Sequence, residues 1–194
     1  MKKCTIIMIL LFLLAMGVAN ATPVQWASNS HYYELIYPTN GISWEAAKTA
    51  AAAMNYSGFQ GHLATITSAA ENFFITYGSG LGNGNPESMW LGGYQVTGSP
   101  EPAGGWTWIT GEVFSYNNWA SGEPNNNPDG ENAIIFQHGF TSDGKEWNDL
   151  TSSWLQNGFV VEYEQGSGPA PVPEPATLLL LGLGLLGIVS LRKK

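Results

Sequence analysis

The stretches that decide the fold of this chain are Trp119-Ala-Ser-Gly-Glu123-Pro124-Asn125-Asn126-Asn127-Pro-Asp129-Gly-Glu131-Asn132 and, one apolar strand later, Trp147-Asn148-Asp149. They gather carboxylates and side-chain amides in a loop rich in Gly, Pro and Asn. Such oxygen donors suit Ca²⁺, which takes about six to eight oxygen ligands, whereas zinc prefers nitrogen or sulfur. Composition alone leaves a solvated turn with Asx caps open as the alternative.

The elements around these stretches predict an α+β domain over residues 22–164. Ser43 is placed to cap a helix that runs to about Met54. Ser68-Ala-Ala-Glu71 has the form of a capping box that opens a second helix. Strands are predicted at Tyr32 to Tyr37, Met89 to Tyr94, Trp106 to Thr110, Ala133 to Gln137 and Phe159 to Tyr163.

Charge and cysteine content exclude several function classes. The chain has 15 acidic and 7 basic residues. Fourteen of the acids but only Lys48 and Lys145 lie within residues 22–165, a net charge of 2 minus 14, or −12. Such a stretch repels nucleic acid and suits hard cations. The one cysteine, Cys4, lies near the start of the chain, so the domain has no thiol ligand, disulfide or cysteine nucleophile. The eight tryptophans are mostly expected in an aromatic core.

The first 21 residues are predicted to be a secretory signal peptide. Lys2 and Lys3 precede an apolar run from Ile6 to Leu14, and Ala19-Asn20-Ala21 has the small-x-small form of a cleavage site. The alternative is an uncleaved anchor, although the apolar run is short for a membrane span of about 20 residues.

The last 30 residues are predicted to form a linker at 165–172 and a membrane tail at 173–194. The apolar run from Ala176 to Leu191 would cover roughly 24 Å as a helix, and Arg192-Lys193-Lys194 would stay in the cytoplasm. Val172-Pro173-Glu174-Pro175-Ala176-Thr177, this helix and the basic tip together resemble a PEP-CTERM sorting signal. The resemblance implies a Gram-negative bacterium that makes exopolysaccharide and an exosortase-type protease that removes the tail. A permanent anchor is the alternative.

The domain resembles the carbohydrate-recognition domain of C-type lectins from about residue 31 to 164. Glu-Pro-Asn at 123–125, a second Glu at 131 and Trp-Asn-Asp at 147–149 carry the resemblance. Matches in the same order are Trp44 with Ala47, Gly61-His62-Leu63-Ala64, Glu71-Asn72, Trp90-Leu91-Gly92-Gly93, Tyr116-Asn117-Asn118-Trp119 and Val160-Val161-Glu162-Tyr163. The implied fold has two helices, short antiparallel sheets and a long loop region.

The resemblance also implies a calcium site that binds sugar. The matching ligands, for both metal and sugar, are Glu123, Asn125, Glu131, Asn148 and Asp149. It implies a cis bond before Pro124, an isomer that X-Pro bonds reach at low cost. The Glu-Pro-Asn order resembles the mannose, glucose and N-acetylglucosamine type of site.

Two groups of residues depart from the family pattern. Met54, Ala133 and Val161 stand where typical members have cysteines, so the apolar core has to compensate. Gln95, Asn126 and Asn132 replace carboxylates at a second calcium position, which argues against a site there, and Asp129 is a partial substitute or a turn residue. The histidines His31, His62 and His138 are read as structural or surface residues.

The sequence therefore predicts a calcium-dependent carbohydrate-binding protein, exported to the outer surface or extracellular matrix, with the cell's own exopolysaccharide as a candidate ligand. The alternative is a C-type-lectin-like scaffold that binds protein or has a structural role. A glycosidase using Glu123 with Glu131 or Asp149 is disfavoured, because such a pair needs separated pKa values and the loop is polar and metal-like.

Overall fold

The computed structural model describes residues 22–78, 81, 86–127, 130–137 and 146–164. The predicted signal peptide, the linker and the tail lie outside these residues, as do Asp129 and His138. The elements, in chain order, are β1 Val24–Gln25, β2 Tyr32–Ile36, α1 Trp44–Ala52, β3 Asn55–Tyr56, β4 Phe59–Leu63, α2 Ala69–Tyr77, β5 Met89–Gln95, β6 Trp106–Trp108, β7 Ala133–Phe136, β8 Trp147–Leu150 and β9 Gly158–Glu164.

Helix α1 begins where the sequence predicts and ends two residues before Met54. Ser43 is its N-cap, but the Ser43 side chain makes no capping hydrogen bond. The helix is held by its apolar face, whose buried residues are Trp44, Ala47 and Ala51. The indole N–H of Trp44 donates to the carbonyl oxygen of Leu91 at 2.8 Å, which ties α1 to strand β5.

Helix α2 forms half of the predicted capping box. The Ser68 hydroxyl oxygen accepts the backbone N–H of Glu71 at 3.2 Å. The Glu71 carboxylate turns away from Ser68 and accepts the backbone N–H of Thr67 at 2.7 Å and the hydroxyl of Tyr33 at 2.6 Å. The glutamate is therefore used to join α2 to strand β2 rather than to close the helix end.

Strand β9 organises the sheet, because it pairs with three other strands. It runs antiparallel to β2 and β4 and parallel to β5. The parallel pairing differs from the antiparallel sheets expected from the sequence, although the sheet is otherwise antiparallel. A Cβ atom at Gly158 would overlap the carbonyl oxygen of Ile36, so a residue without a side chain is needed where β9 meets β2.

The core is apolar at the three positions that the resemblance matches to cysteines of typical family members. Ala133 and Val161 are fully buried in one cluster, and Met54 packs against the same cluster. Since buried apolar surface stabilises a domain by about 25 cal/mol per Å², hydrophobic packing stands where cross-links would be.

A second cluster, formed by aromatic residues around Trp147, positions the loop that carries Glu123. The Trp147 ring lies edge-on to Trp108, Tyr116 and Trp119, with ring centroids 5.6 to 6.0 Å apart. Its indole N–H donates to the Asn72 side-chain oxygen at 2.9 Å. This ring anchors the start of β8 in the core. Among the described residues, no helix has the length and apolarity to cross a bilayer.

Candidate calcium and carbohydrate site

The loop that carries Glu123 is fastened to β8 by its backbone. The backbone N–H of Trp147 donates to the carbonyl of Asn118 at 2.8 Å, and the N–H of Ala120 donates to the carbonyl of Trp147 at 2.9 Å. The Glu123 N–H closes a turn onto the Ala120 carbonyl at 2.9 Å. The bond between Glu123 and Pro124 is cis, as the resemblance implies. These bonds therefore hold the loop next to β8, which carries the candidate ligands Asn148 and Asp149.

Asp149 lies beneath the loop and holds its backbone. Its side chain is fully buried. One carboxylate oxygen accepts the N–H of Asn125 at 3.0 Å, and the other accepts the N–H of Asn126 at 2.8 Å. The two oxygens of one carboxyl group therefore hold two successive backbone N–H groups. Asp149 thus orients the residue pair that follows the cis bond.

Glu131 lies in the same region, and its backbone is held by Asn126. Asn126 has a φ of 53°, and its side-chain oxygen accepts the backbone N–H groups of Gly130 and Glu131 at 2.7 and 3.0 Å. The Glu131 carboxylate accepts the N–H of Asn127 at 2.9 Å and is 2% exposed.

The structure thus brings four of the five candidate ligands to the lining of one cavity. They are Glu123, Asn125, Glu131 and Asn148, and the fifth, Asp149, lies next to them. The Asn126 side chain, by contrast, accepts backbone N–H groups. The other two residues of the doubtful second calcium position also serve the backbone. The Gln95 amide donates to the carbonyl of Gly104 at 2.9 Å, and the Asn132 side-chain oxygen accepts the N–H of Ser152 at 3.1 Å.

The carboxylates of the site repel one another. Burial raises the pKa of Glu123, and the neighbouring Asp149 raises it further. Burial is also the main cause that raises the pKa of Glu131 to about 7, with the charges of Asp149 and Glu123 adding to it and the Asn127 N–H opposing it. No lysine or arginine lines this cavity among the described residues.

Two buried oxygens of the site have no hydrogen-bond partner among the described residues. They are Glu123 Oε2 and Asn148 Oδ1, and both residues line the cavity. A buried oxygen acceptor without a partner costs free energy. The donor set of carboxylate and amide oxygens fits Ca²⁺, which would coordinate both atoms and reduce the repulsion between the carboxylates.

The cavity extends beyond the candidate ligands. Its volume is about 500 Å³, and Ile135 and Leu150 contribute apolar surface to it. Trp154 lies on the cavity and is 46% exposed. From the sequence, the tryptophans are expected mostly in the core, and Trp154 was not predicted as a site residue. That Trp154 opens onto this cavity depends on the path of the chain between β8 and β9.

The family model of the C-type lectin domain matches residues 41–160, and the chain therefore belongs to this family. The PEP-CTERM protein-sorting motif matches residues 171–194. Both resemblances inferred from the sequence are thereby confirmed, and the α+β, C-type lectin-like fold is confirmed by solved domains of the same class.

Individual relatives agree with this assignment. Halomucin of Haloquadratum walsbyi is 29% identical over 151 residues, which are 71% of this chain and 1% of halomucin. Ladderlectin of Oncorhynchus mykiss is 32% identical over 89 residues, which are 46% of this chain and 43% of ladderlectin. The match thus spans less than half the length of either relative.

Among solved structures, the C-type lectin domain of murine dendritic cell inhibitory receptor 2, in complex with an N-glycan, is similar with a TM-score of 0.53 and 25% identity. The similarity covers 70% of this chain and 91% of that domain. A lectin domain with lectin relatives supports carbohydrate binding in general.

Proposed function

We propose that this domain binds carbohydrate through a calcium ion held by Glu123, Asn125, Glu131, Asn148 and Asp149. The observation that carries the proposal is the pair of buried oxygens, Glu123 Oε2 and Asn148 Oδ1, which have no hydrogen-bond partner in the described part of the chain and belong to residues that line the cavity. Three of the five residues are carboxylates, so the set exceeds the charge of one Ca²⁺ by one. That charge balance favours a divalent cation.

The sugar is held by residues that also hold the metal. A bound Ca²⁺ would supply coordination positions for two neighbouring sugar hydroxyls. The Glu123 carboxylate accepts a hydrogen bond from a sugar hydroxyl, and the Asn125 side-chain amide donates a hydrogen bond to a sugar hydroxyl oxygen. Asp149 fixes the backbone of Asn125, so this donor is held in place before the sugar arrives. The domain is a binding protein in this mechanism and carries out no reaction.

Mannose, glucose and N-acetylglucosamine are the proposed sugar class. The Glu-Pro-Asn order at 123–125 supports this preference through its resemblance to that type of lectin site. The N-glycan seen with the murine receptor domain supports a glycan as ligand. A cavity of about 500 Å³ falls within the usual range for small-molecule sites, and Trp154 offers a ring face on which a further sugar can stack.

We propose that the protein acts outside the cell, on an exopolysaccharide. The supporting features are the signal-like residues 1–21 and the PEP-CTERM motif at 171–194. In this scheme residues 22–164 form the exported domain, 165–172 the linker, and 173–194 a tail that anchors the chain in the inner membrane until an exosortase-type protease removes it. The outer surface or matrix of a Gram-negative bacterium is then the place of action.

Isothermal titration of the full chain tests the proposal. Mannose or a mannose-rich oligosaccharide is titrated in the presence of Ca²⁺ and again with a chelator. We expect binding only with Ca²⁺. The double variant Glu123→Gln, Asn125→Asp should lose mannose binding, because the hydroxyl acceptor and amide donor are exchanged. Glu45→Gln, a change at an exposed glutamate on α1, is the matched control and should bind as the wild type does.

Each other outcome has a defined meaning. Sugar binding that survives chelation, or that the double variant retains unchanged, contradicts the calcium mechanism. Calcium binding without any glycan ligand supports the alternative of a scaffold for protein binding or structure. Sustained release of sugar from a polysaccharide would indicate an enzyme and would overturn the assignment of a binding protein.

A further inference from the structure

The cavity lined by the candidate calcium ligands continues along strand β7. Ile135 of β7 is paired with Asn148 of β8, and both residues line the cavity. Gln137 directly follows β7 and continues the pairing, since its backbone N–H donates to the carbonyl of Glu146 at 2.8 Å. Side chains two residues apart on a strand lie on the same face, roughly 7 Å apart along it. Gln137 therefore follows Ile135 on the cavity side and also lines the cavity.

Two further polar side chains line the same cavity. Ser88 directly precedes β5, and its backbone N–H donates to the carbonyl of Phe136 at 3.0 Å, which places it next to Gln137. Gln156 lies two residues before β9, whose first residue is paired with the first residue of β5. The segments that lead into β5 and β9 therefore run side by side at this point. Together, Ser88, Gln137 and Gln156 form a polar group that we call the glutamine cluster.

One oxygen of the glutamine cluster lacks a partner. Gln137 Oε1 is buried and has no hydrogen-bond partner in the described part of the chain. A buried acceptor without a donor costs free energy. Gln137 is not among the five candidate calcium ligands, so the ion proposed at those residues does not account for this oxygen. A donor that enters the cavity from outside would satisfy it, and a sugar hydroxyl is such a donor.

The cavity has room for more than one sugar ring. Its volume of about 500 Å³ lies in the range of sites that enclose a drug-sized ligand, and a single hexose is smaller than such a ligand. Trp154 lies on the same cavity and is 46% exposed, so part of its indole ring is open to a ligand. Aromatic rings offer a large apolar surface, which suits the C–H face of a sugar ring. The cavity thus combines a hydrogen-bond acceptor and a stacking surface outside the candidate calcium ligands.

The charge of the cavity selects against acidic sugars. Glu123 and Glu131 line it, and among the described residues no lysine or arginine does. Lys48 is the only such residue in the described part of the chain, and it pairs with Glu45 at 2.8 Å on α1. Together with Asp149, the two glutamates exceed the charge of one Ca²⁺ by one. The calcium-loaded site therefore keeps a negative charge that repels the carboxylate of a uronic acid.

We propose that the glutamine cluster and Trp154 bind the second residue of an uncharged oligosaccharide whose first residue is held at the calcium site. This second site depends on the proposed calcium-dependent binding and narrows its ligand to a neutral chain of at least two sugar residues. Gln137 Oε1 accepts a hydrogen bond from a hydroxyl of the second residue, and the Trp154 ring packs against that residue. Gln137 thereby determines specificity, because a ligand without a donor at this point leaves its oxygen unpaired.

Calorimetric titration of the full chain in the presence of Ca²⁺ tests the second site. The probes are methyl α-mannoside, the α-linked mannobioses, and a disaccharide in which glucuronic acid is linked to mannose. We expect at least one mannobiose to bind at least about tenfold more tightly than the mannoside, because a hydrogen bond and ring packing are added. The glucuronic acid disaccharide should bind no more tightly than the mannoside. These comparisons use the wild-type chain, so they do not depend on the folding of a variant.

A substitution at Gln137 tests the residue itself. Gln137→Met keeps an unbranched side chain of similar length but lacks the amide. It should lower the ratio of mannobiose affinity to mannoside affinity about three- to tenfold, which is the usual worth of one hydrogen bond between neutral groups. Gln25→Met, at an exposed glutamine on β1, is the matched control and should keep the wild-type ratio.

The outcomes separate the second site from the calcium site. Equal affinity for the mannoside and every mannobiose, or an unchanged ratio in Gln137→Met, means that water alone satisfies Gln137 and overturns the second site. Mannoside binding that requires Ca²⁺ leaves the proposed function intact in that case. Tighter binding of the glucuronic acid disaccharide than of the mannobioses contradicts the selection for uncharged sugars. If none of the probes binds to the calcium-loaded chain, the proposed function and the second site are both refuted.

Discussion

Acidification should weaken calcium binding at the proposed site mainly through Glu131. Burial and the charges of Asp149 and Glu123 raise the pKa of this carboxyl to about 7. A protonated carboxyl group is a poor ligand, so a proton and Ca²⁺ compete for the same oxygens. The metal therefore binds to the ionised form, and its binding releases the proton that Glu131 holds near neutral pH.

The size of the effect follows from the pKa. With one competing proton, the apparent Kd scales as one plus ten raised to the pKa minus the pH, so lowering the pH from 8.0 to 5.5 weakens binding about 30-fold, or about 2 kcal/mol. Calcium binding should release about half a proton at pH 7 and about a tenth at pH 8. Because the pKa of Glu123 is also raised, protonation of Glu123 adds to the loss of calcium affinity at low pH.

Calorimetric Ca²⁺ titrations of the full chain at constant ionic strength measure both quantities. Two buffers with different ionisation enthalpies give the number of protons released at each pH. Glu45→Gln removes a carboxyl far along the sequence from the site and should retain the whole pH dependence. An affinity that stays within a factor of two between pH 8.0 and 5.5, or binding at pH 7 without proton release, would falsify this account of Glu131.

Three further substitutions test the packing and the cavity. Trp147→Ala should lower the free energy of unfolding by about 3 to 5 kcal/mol in urea denaturation, whereas Trp147→Phe, which keeps a ring but loses the indole donor, should cost less. Trp154→Ala should weaken binding of a mannose oligosaccharide about fivefold, worth about 1 kcal/mol of stacking, and leave mannose itself nearly unchanged in calorimetry. Gly158→Ala should cost at least about 2 kcal/mol, because its Cβ would overlap the Ile36 carbonyl; a melting temperature equal to that of the wild type contradicts this packing.

The helices and the strands β2, β5, β6, β7 and β9 could be predicted because their residues carry local patterns, whereas β4 was not predicted. α1 shows apolar residues at helical spacing, and β5 and β9 are rich in aromatic or branched residues. The short strand β8 was not predicted, since two of its four residues are the polar Asn148 and Asp149. It exists because β7 supplies its hydrogen-bonding partner, and strand formation depends more on such neighbours than on local preference.

The amino-acid sequence alone was sufficient to indicate the family, because its motifs depend on residue type and spacing along the chain. The five candidate oxygen ligands and the cis bond before Pro124 followed from what this resemblance implies. Burial and pairing, in contrast, depend on residues far apart in sequence. Only the tertiary structure placed Glu131 out of water, left Glu123 Oε2 and Asn148 Oδ1 without partners among the residues that the structure describes, and opened Trp154 onto the cavity. The contact between His31 and Glu164, at 3.5 Å, is of the same kind. His31 and Glu164 lie at opposite ends of the domain sequence and meet because β9 returns beside β2.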